Sequence, residues 1–322
     1  MKQNPINLKE NALLLYTDQN MCYDVHGNHI ECRNSGHDAG FKQPDMAVLA
    51  SRYRVQGDSI KDNLSGLVWK KYAGLSEFPL SWPEAQQFVA EINNSVKQVE
   101  NRWRLPTRRE LFSLVSHQFV NPSLSQGHPF TDVFNGYYWT GTSCARLHDQ
   151  AWYIHMGGGR VYRGMKHGSY MVWPVRGQMH HPTKGRHRFR RHTGVYFDRY
   201  TNRLWYTGSD LLTRPRTWEE ALLAIRKLND DHKKGFGDWR LPNIRELESL
   251  VDDSRHSPAF EPGFSTAIAQ ITGCWSSTTS IYEPRYAWVL YSIDGAVGVG
   301  FKVQAEYHTL AVRHDDADGL NI

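Results

Sequence analysis

Two cysteines open the inventory of reactive side chains. Cys22 and Cys32 flank nine residues that include Gly27-Asn28. That dipeptide favours a tight turn, so the pair suits a hairpin closed by a disulfide and hence an oxidising compartment. Cys144 and Cys274 have no such partner and read as free, buried thiols. The sixteen histidines are scattered without metal-ligand spacing, and no metal or cofactor is expected. Arg104 with Glu110, and Arg240 with Glu246, have the types and spacing for an ion pair tying strand to helix. With no nucleophile or metal cluster beside them, catalysis is not expected and the chain reads as a non-enzyme.

Cationic residues are the other chemistry on offer. Lys+Arg number 38 against 33 Asp+Glu, a net +5 that does not by itself indicate nucleic-acid binding. The excess sits in two places. Residues 178–193 hold Lys184, Arg186, Arg188, Arg190 and Arg191 with no acid. Between Gly157 and Tyr170, in what reads as a late turn, lie Arg160, Tyr162, Arg163, Lys166 and His167, again with no acid. Guanidinium forks suit sulfate, carboxylate or phosphate. The expected ligand site is therefore Arg160, Tyr162, Arg163, Lys166 and His167, assisted by Lys184 and Arg186. Arg188 and Arg190 read as surface residues of a strand.

The elements that must position these groups occur twice. Trp69, Trp82, Trp103, Trp139 and Trp152 recur 136 positions later as Trp205, Trp218, Trp239, Trp275 and Trp288. Arg52/Arg188, Asp62/Asp198, Glu110/Glu246 and Lys166/Lys302 keep the same offset. A unit this long is a whole domain rather than a solenoid repeat. The expected organisation is an N-terminal extension over 1–49, copy one over 50–177, a linker over 178–185, copy two over 186–314 and an acidic tail over 315–322.

Each copy carries two helix starts with capping-box spacing: Ser81/Glu84 and Thr107/Glu110, then Thr217/Glu220 and Asn243/Glu246. Arg-Leu-Pro precedes the second start in both copies, and the proline keeps the entering chain extended. Aromatic and β-branched runs follow, such as Tyr137–Thr140 and Ala287–Tyr291, and read as short strands. The order is a strand pair, two helices and an antiparallel meander, an α+β domain. The tryptophans sit at amphipathic or strand positions and read mostly as core.

As a set these motifs resemble the Lcl C-terminal domain family, the terminal module of bacterial collagen-like adhesins. The resemblance rests on Asp62-Asn63-Leu64-Ser65-Gly66-Leu67-Val68-Trp69, Ser81-Trp82-Pro83-Glu84-Ala85 and Trp103-Arg104-Leu105-Pro106-Thr107-Arg108-Arg109-Glu110-Leu111. It continues through Tyr137–Thr142, Ala151-Trp152 and Val175-Arg176, and copy two matches except across Asp198–Trp205. Residues Tyr16 to Cys32 resemble the extension that often precedes such tandem pairs.

The family implies two tandem C-type-lectin-like domains used for adhesion, with sulfated glycans as a ligand class. Formylglycine-generating enzymes share that scaffold, but no cysteine pair here resembles their copper site. Gln43-Pro44-Asp45 mimics a lectin calcium motif, yet lies outside both copies, and no Trp-Asn-Asp follows in either. The expectation is a non-enzymatic extracellular, cell-surface or periplasmic protein that binds an anionic polysaccharide or glycoprotein. The alternative is a fibre, pilus or phage-tail subunit whose loops Thr140–Gln150 and Ser276–Tyr286 contact protein or drive self-assembly. Neither a membrane span nor a nucleic-acid partner is expected. Met1 to Pro5 carries no apolar signal stretch, which leaves the export route open.

Overall fold

A computed structural model describes residues 15–41, 51–179, 188–192, 194–265 and 268–314. Lys184 and Arg186, Gln43-Pro44-Asp45 and the acidic tail fall outside these residues. The chain divides into two compact units, residues 43–180 and residues 1–42 with 181–322. The extension thus folds with copy two, not with the copy that follows it in sequence.

In copy one, β3 (Tyr53–Gln56), β4 (Ser59–Asp62) and β5 (Val68–Lys70) form an antiparallel meander. The late strand β9 (Val175–Arg176) returns to pair with β5, so copy one closes on itself. The expected strand pair is therefore three strands and a returning fourth. Helices α1 (Trp82–Ile92) and α2 (Arg108–Phe112) follow the meander. A second antiparallel sheet holds β6 (Tyr137–Ser143), β7 (Gln150–His155) and β8 (Val161–Met165).

Copy two repeats this plan. The strands β10 (Phe189–His192), β11 (Val195–Asp198) and β12 (Arg203–Tyr206) form a meander, and β12 pairs with the final β16 (Ala311–His314). Between β12 and β16 lie α3 (Ser209–Leu212), α4 (Trp218–Asp230), α5 (Ile244–Ser249) and the sheet β13 (Gly273–Thr279), β14 (Tyr286–Tyr291) and β15 (Val297–Phe301). A short α6 (Pro262–Ser265) precedes that sheet.

All four expected capping boxes form. Trp69, Trp139 and Trp152 are buried with their partners Trp205, Trp275 and Trp288. Each copy packs one helix and the indole that precedes its Arg-Leu-Pro triplet (Trp103 or Trp239) into its own core. Asn93 clamps Trp103 through both backbone directions, at 2.7 and 2.8 Å, and Asn229 clamps Trp239 in the same way at 2.8 Å. That duplicated tie fixes the end of the long helix against the segment that leads into the next helix.

Arg188 corrects the expectation of a surface strand residue. It is buried, 2.6 Å from Asp198, and also donates to the Ser249 carbonyl at 2.7 Å. Arg52 makes the same bonds to Asp62 and to Ser113 O. A buried guanidinium needs these partners because desolvation is otherwise costly. Arg190 remains exposed on β10.

Candidate functional site

The site is built on the tryptophan that opens the long helix and the lysine 84 positions after it. The Ser81 and Thr217 caps place Trp82 and Trp218 at the first helical turn. Each indole Nε1 donates to a strand carbonyl, Thr140 O at 2.8 Å or Ser276 O at 2.7 Å. Each indole face carries an ammonium: Lys166 Nζ lies 4.5 Å from the Trp82 ring and Lys302 Nζ 4.2 Å from the Trp218 ring. A cation over an indole face is attracted by the ring quadrupole. Beside each pair, β6 or β13, an outer strand of its sheet, carries a register irregularity. The irregularity is pinned by the Arg-Leu-Pro proline, whose carbonyl accepts from Gly141 N or Ser277 N at 2.8 Å.

In copy two the N-terminal extension covers that edge. Cys22 and Cys32 are joined as a disulfide around the small hairpin β1 (Cys22–Tyr23) and β2 (His29–Ile30). Gln19 Oε1 accepts from Thr279 N at 3.0 Å while its Nε2 donates to Thr279 O at 2.6 Å. Asp38 accepts from Thr17 at 2.6 Å and from Thr278 at 2.8 Å. Asn243 donates to Leu15 O, and Arg240 lies over the Phe41 ring. Lys302 Nζ donates to Tyr23 O at 2.8 Å, Asp24 O at 3.2 Å and Thr279 Oγ1 at 3.1 Å.

Burial dominates the electrostatics of this contact. It pulls the Lys302 ammonium down to about 7, against the opposing pull of Asp24 and Glu219. It pushes Asp38 up to about 6 despite the two hydroxyl donors, and holds His37 down to about 3. The His37 ring sits 4.5 Å from Trp218. A cavity of about 370 Å³ between the extension and α4 is lined by Val25, Ile30, His37, Trp218, Leu222 and Arg226, among others.

Copy one presents the same residues with more of their surface exposed. Thr278 and Thr279 are buried, whereas Thr142 is half-buried and Ser143 exposed. Asn243 is buried and Thr107 exposed; Trp218 is buried and Trp82 half-buried. The Arg240 side chain is 16% exposed and that of Arg104 37%.

The residues expected to bind an anion are distributed along β8, not gathered in a turn. Arg160 precedes the strand, Tyr162 and Arg163 lie within it, and Lys166 and His167 follow it. Five residues at roughly 3.3 Å each put about 16 Å between the two ends. Arg160, Tyr162 and His167 are exposed, and the Arg163 guanidinium sits 4.9 Å from the Tyr162 ring. Lys166 is already engaged, donating to His148 O at 2.7 Å besides covering Trp82. The stretch is a strand between two turns, because Val161 to Met165 pair in register with β7. Sequence reasoning also missed Gln19, His37 and Asp38. Their partners in copy two lie some 180 to 260 residues away, and only the Lys166/Lys302 and Trp82/Trp218 repeats signalled the surface they meet.

The Arg104–Glu110 pair forms at 2.6 Å, and Arg240–Glu246 likewise. Arg203 adds a third member in copy two, 2.9 Å from Glu246. Burial opposes ionisation of Glu246, but Arg240 and Arg203 outweigh it and hold the carboxyl near 2. These charges are spent on tying strands to helix α2 or α5. Cys144 and Cys274 are unpaired and buried, and burial pushes the Cys274 thiol up, away from the reactive thiolate. Among the described residues no group of three His, Cys, Asp or Glu could hold a metal ion. No helix among them is long and apolar enough to cross a membrane.

The two copies thus form a duplicated α+β module, each with a sheet edge beside an indole–ammonium pair. The Lcl C-terminal domain family model matches residues 58–176 and 194–313, one match in each copy, and the chain belongs to that family. No curated protein matches the chain.

Proposed function

We propose that the chain is a non-enzymatic, extracellular, surface or periplasmic binding protein with two C-type-lectin-like domains, and that copy one takes an anionic polysaccharide along β8. The observation that carries this reading is the divergence of two otherwise matched strands. Arg160, Tyr162, Arg163 and His167 of copy one stand where copy two has Ala296, Gly298, Val299 and Val303. Cations at both ends of a strand suit a linear polymer with repeated charges better than one isolated sulfate. The disulfide supports an oxidising compartment.

Retention on a heparin column in low and high salt tests it. Retention that falls with salt, and falls further in an Arg160→Ala/His167→Ala variant, is the expected result. Passage through the column at low salt would remove the reading.

A second reading, a fibre, pilus or phage-tail subunit, is favoured by one specific observation. The loop edge of copy two already holds a polypeptide, the chain's own residues 15–41. Burial of the Thr140–Gln150 loop between subunits of a native assembly supports this reading; a monomer with that loop free in solution argues against it.

A further inference from the structure

The two copies carry one docking edge each, and only one of these is covered by residues 15–41. We propose that the edge of copy one at Thr142, Ser143 and Lys166 docks a polypeptide hairpin of a partner, of the same polar chemistry as residues 15–41. The proposal narrows the protein-contact reading to one edge and rests on it. It is independent of the polysaccharide reading.

The receptor groups match one by one. In copy two Ser280 N bonds Tyr286 O, which leaves Thr279 as a pair with its backbone N–H and C=O turned outward, where the Gln19 amide takes both. In copy one Cys144 N bonds Gln150 O in the same way, so Ser143 turns the same two groups outward, and it is exposed. A backbone N–H and C=O at a sheet edge invite such pairing. Thr278 Oγ1 accepts from Ile244 N and donates to Asp38; Thr142 Oγ1 accepts from Arg108 N, leaving its hydroxyl proton for an acceptor. Lys302 caps two hairpin carbonyls; Lys166 holds the equivalent place over Trp82 and donates one proton to His148 O, its ammonium having two more to offer.

The helix beside the edge sets what differs. Leu222, Leu223 and Arg226 of α4 correspond to Gln86, Gln87 and Ala90 of α1. The partner therefore presents a side-chain amide to Ser143, a carboxylate or other acceptor to Thr142 and carbonyls to Lys166. Where residues 15–41 place Val25 and Ile30 against α4, it carries polar, uncharged groups.

The probe is a synthetic oxidised peptide of residues 15–41 with Val25→Thr and Ile30→Gln to suit α1 and a photo-crosslinker at the exposed His26, added to the full chain. Saturable binding of one peptide per chain, with crosslinks inside residues 82–166, is the expected result. Gln19→Ala in the peptide, and Lys166→Met in a protein whose near-ultraviolet tryptophan spectrum is unchanged, each weaken binding by about tenfold. Crosslinks confined to residues 218–302 would mean exchange with the chain's own segment and overturn the proposal. No saturable binding, or binding indifferent to Gln19→Ala, overturns it too. Burial of the Thr140–Gln150 loop in a native assembly, read separately, would then leave the broader protein-contact reading standing without this edge.

Discussion

Gln19 and Thr279 are 260 residues apart, yet the side-chain amide of one pairs with both backbone groups of the other. The pairing reproduces one rung of a β-ladder with a side chain in place of a strand. It makes the extension part of copy two and leaves the matching Ser143 exposed in copy one.

Removing that rung loosens the extension without unfolding copy two. Gln19→Ala leaves two buried backbone groups unpaired, at a cost of about 1–3 kcal/mol. Faster amide exchange at Thr279 and faster proteolysis within residues 15–41 are expected, while the thermal midpoint of the strands of copy two barely moves. Equal loss of protection throughout copy two would contradict a separable extension.

The disulfide restricts the loop that docks. Reduction, or Cys22→Ser with Cys32→Ser, frees a loop of about ten residues and removes roughly 2–3 kcal/mol of local restraint. Exchange protection in residues 15–41 should fall, and that in α1 of copy one should not.

Acid acts on the docked extension in two opposing ways. The His37 value drops from 6.5 when free to about 3 when docked, so its contribution is complete above pH 6.5 and is lost as pH falls from there towards 3. Asp38 rises from 3.8 to about 6, so docking gains stability as pH falls from 6 towards 3.8. Lys302 is charged in both states well below its value of about 7 and adds no slope there. The wild type should therefore respond weakly between pH 6.5 and 4. Asp38→Asn, which removes the compensating group, should release the extension over that range, as read by proteolysis. A flat response in the variant would show that His37 does not titrate with docking.

Glu246 carries a heavier load than its duplicate. It faces Arg240 and Arg203, whereas Glu110 has Arg104, and the position that matches Arg203 in copy one is Leu67. Glu246→Gln leaves two buried guanidiniums short of a counter-charge and should cost about 3–5 kcal/mol. Glu110→Gln, whose partner arginine is one-third exposed, should cost less. Urea unfolding of both variants decides the order.

The scaffold was legible in the sequence because its signals are local or periodic. The 136-residue register, the four capping boxes and the Arg104–Glu110 spacing each connect residues within one copy. The short strands before the first helix were less legible, since Ser59–Asp62 and Val68–Lys70 pair through turns of ordinary composition. Arg188 looked like surface because its partner Asp198 lies ten residues away across a hairpin, a distance no helical or strand period marks. The docking of residues 15–41 was not legible at all. Gln19, His37 and Asp38 are common surface types, and what buries them is the edge at Thr278 and Thr279 far along the chain.

Copy one is proposed as the half of the molecule that meets an outside ligand. Hydrogen exchange on the full chain, with and without a heparin oligosaccharide, tests it most directly. New protection across residues 157–170 of copy one, with residues 293–306 of copy two unchanged, is the predicted result. Protection confined to copy two, or none in either at low salt, would contradict it.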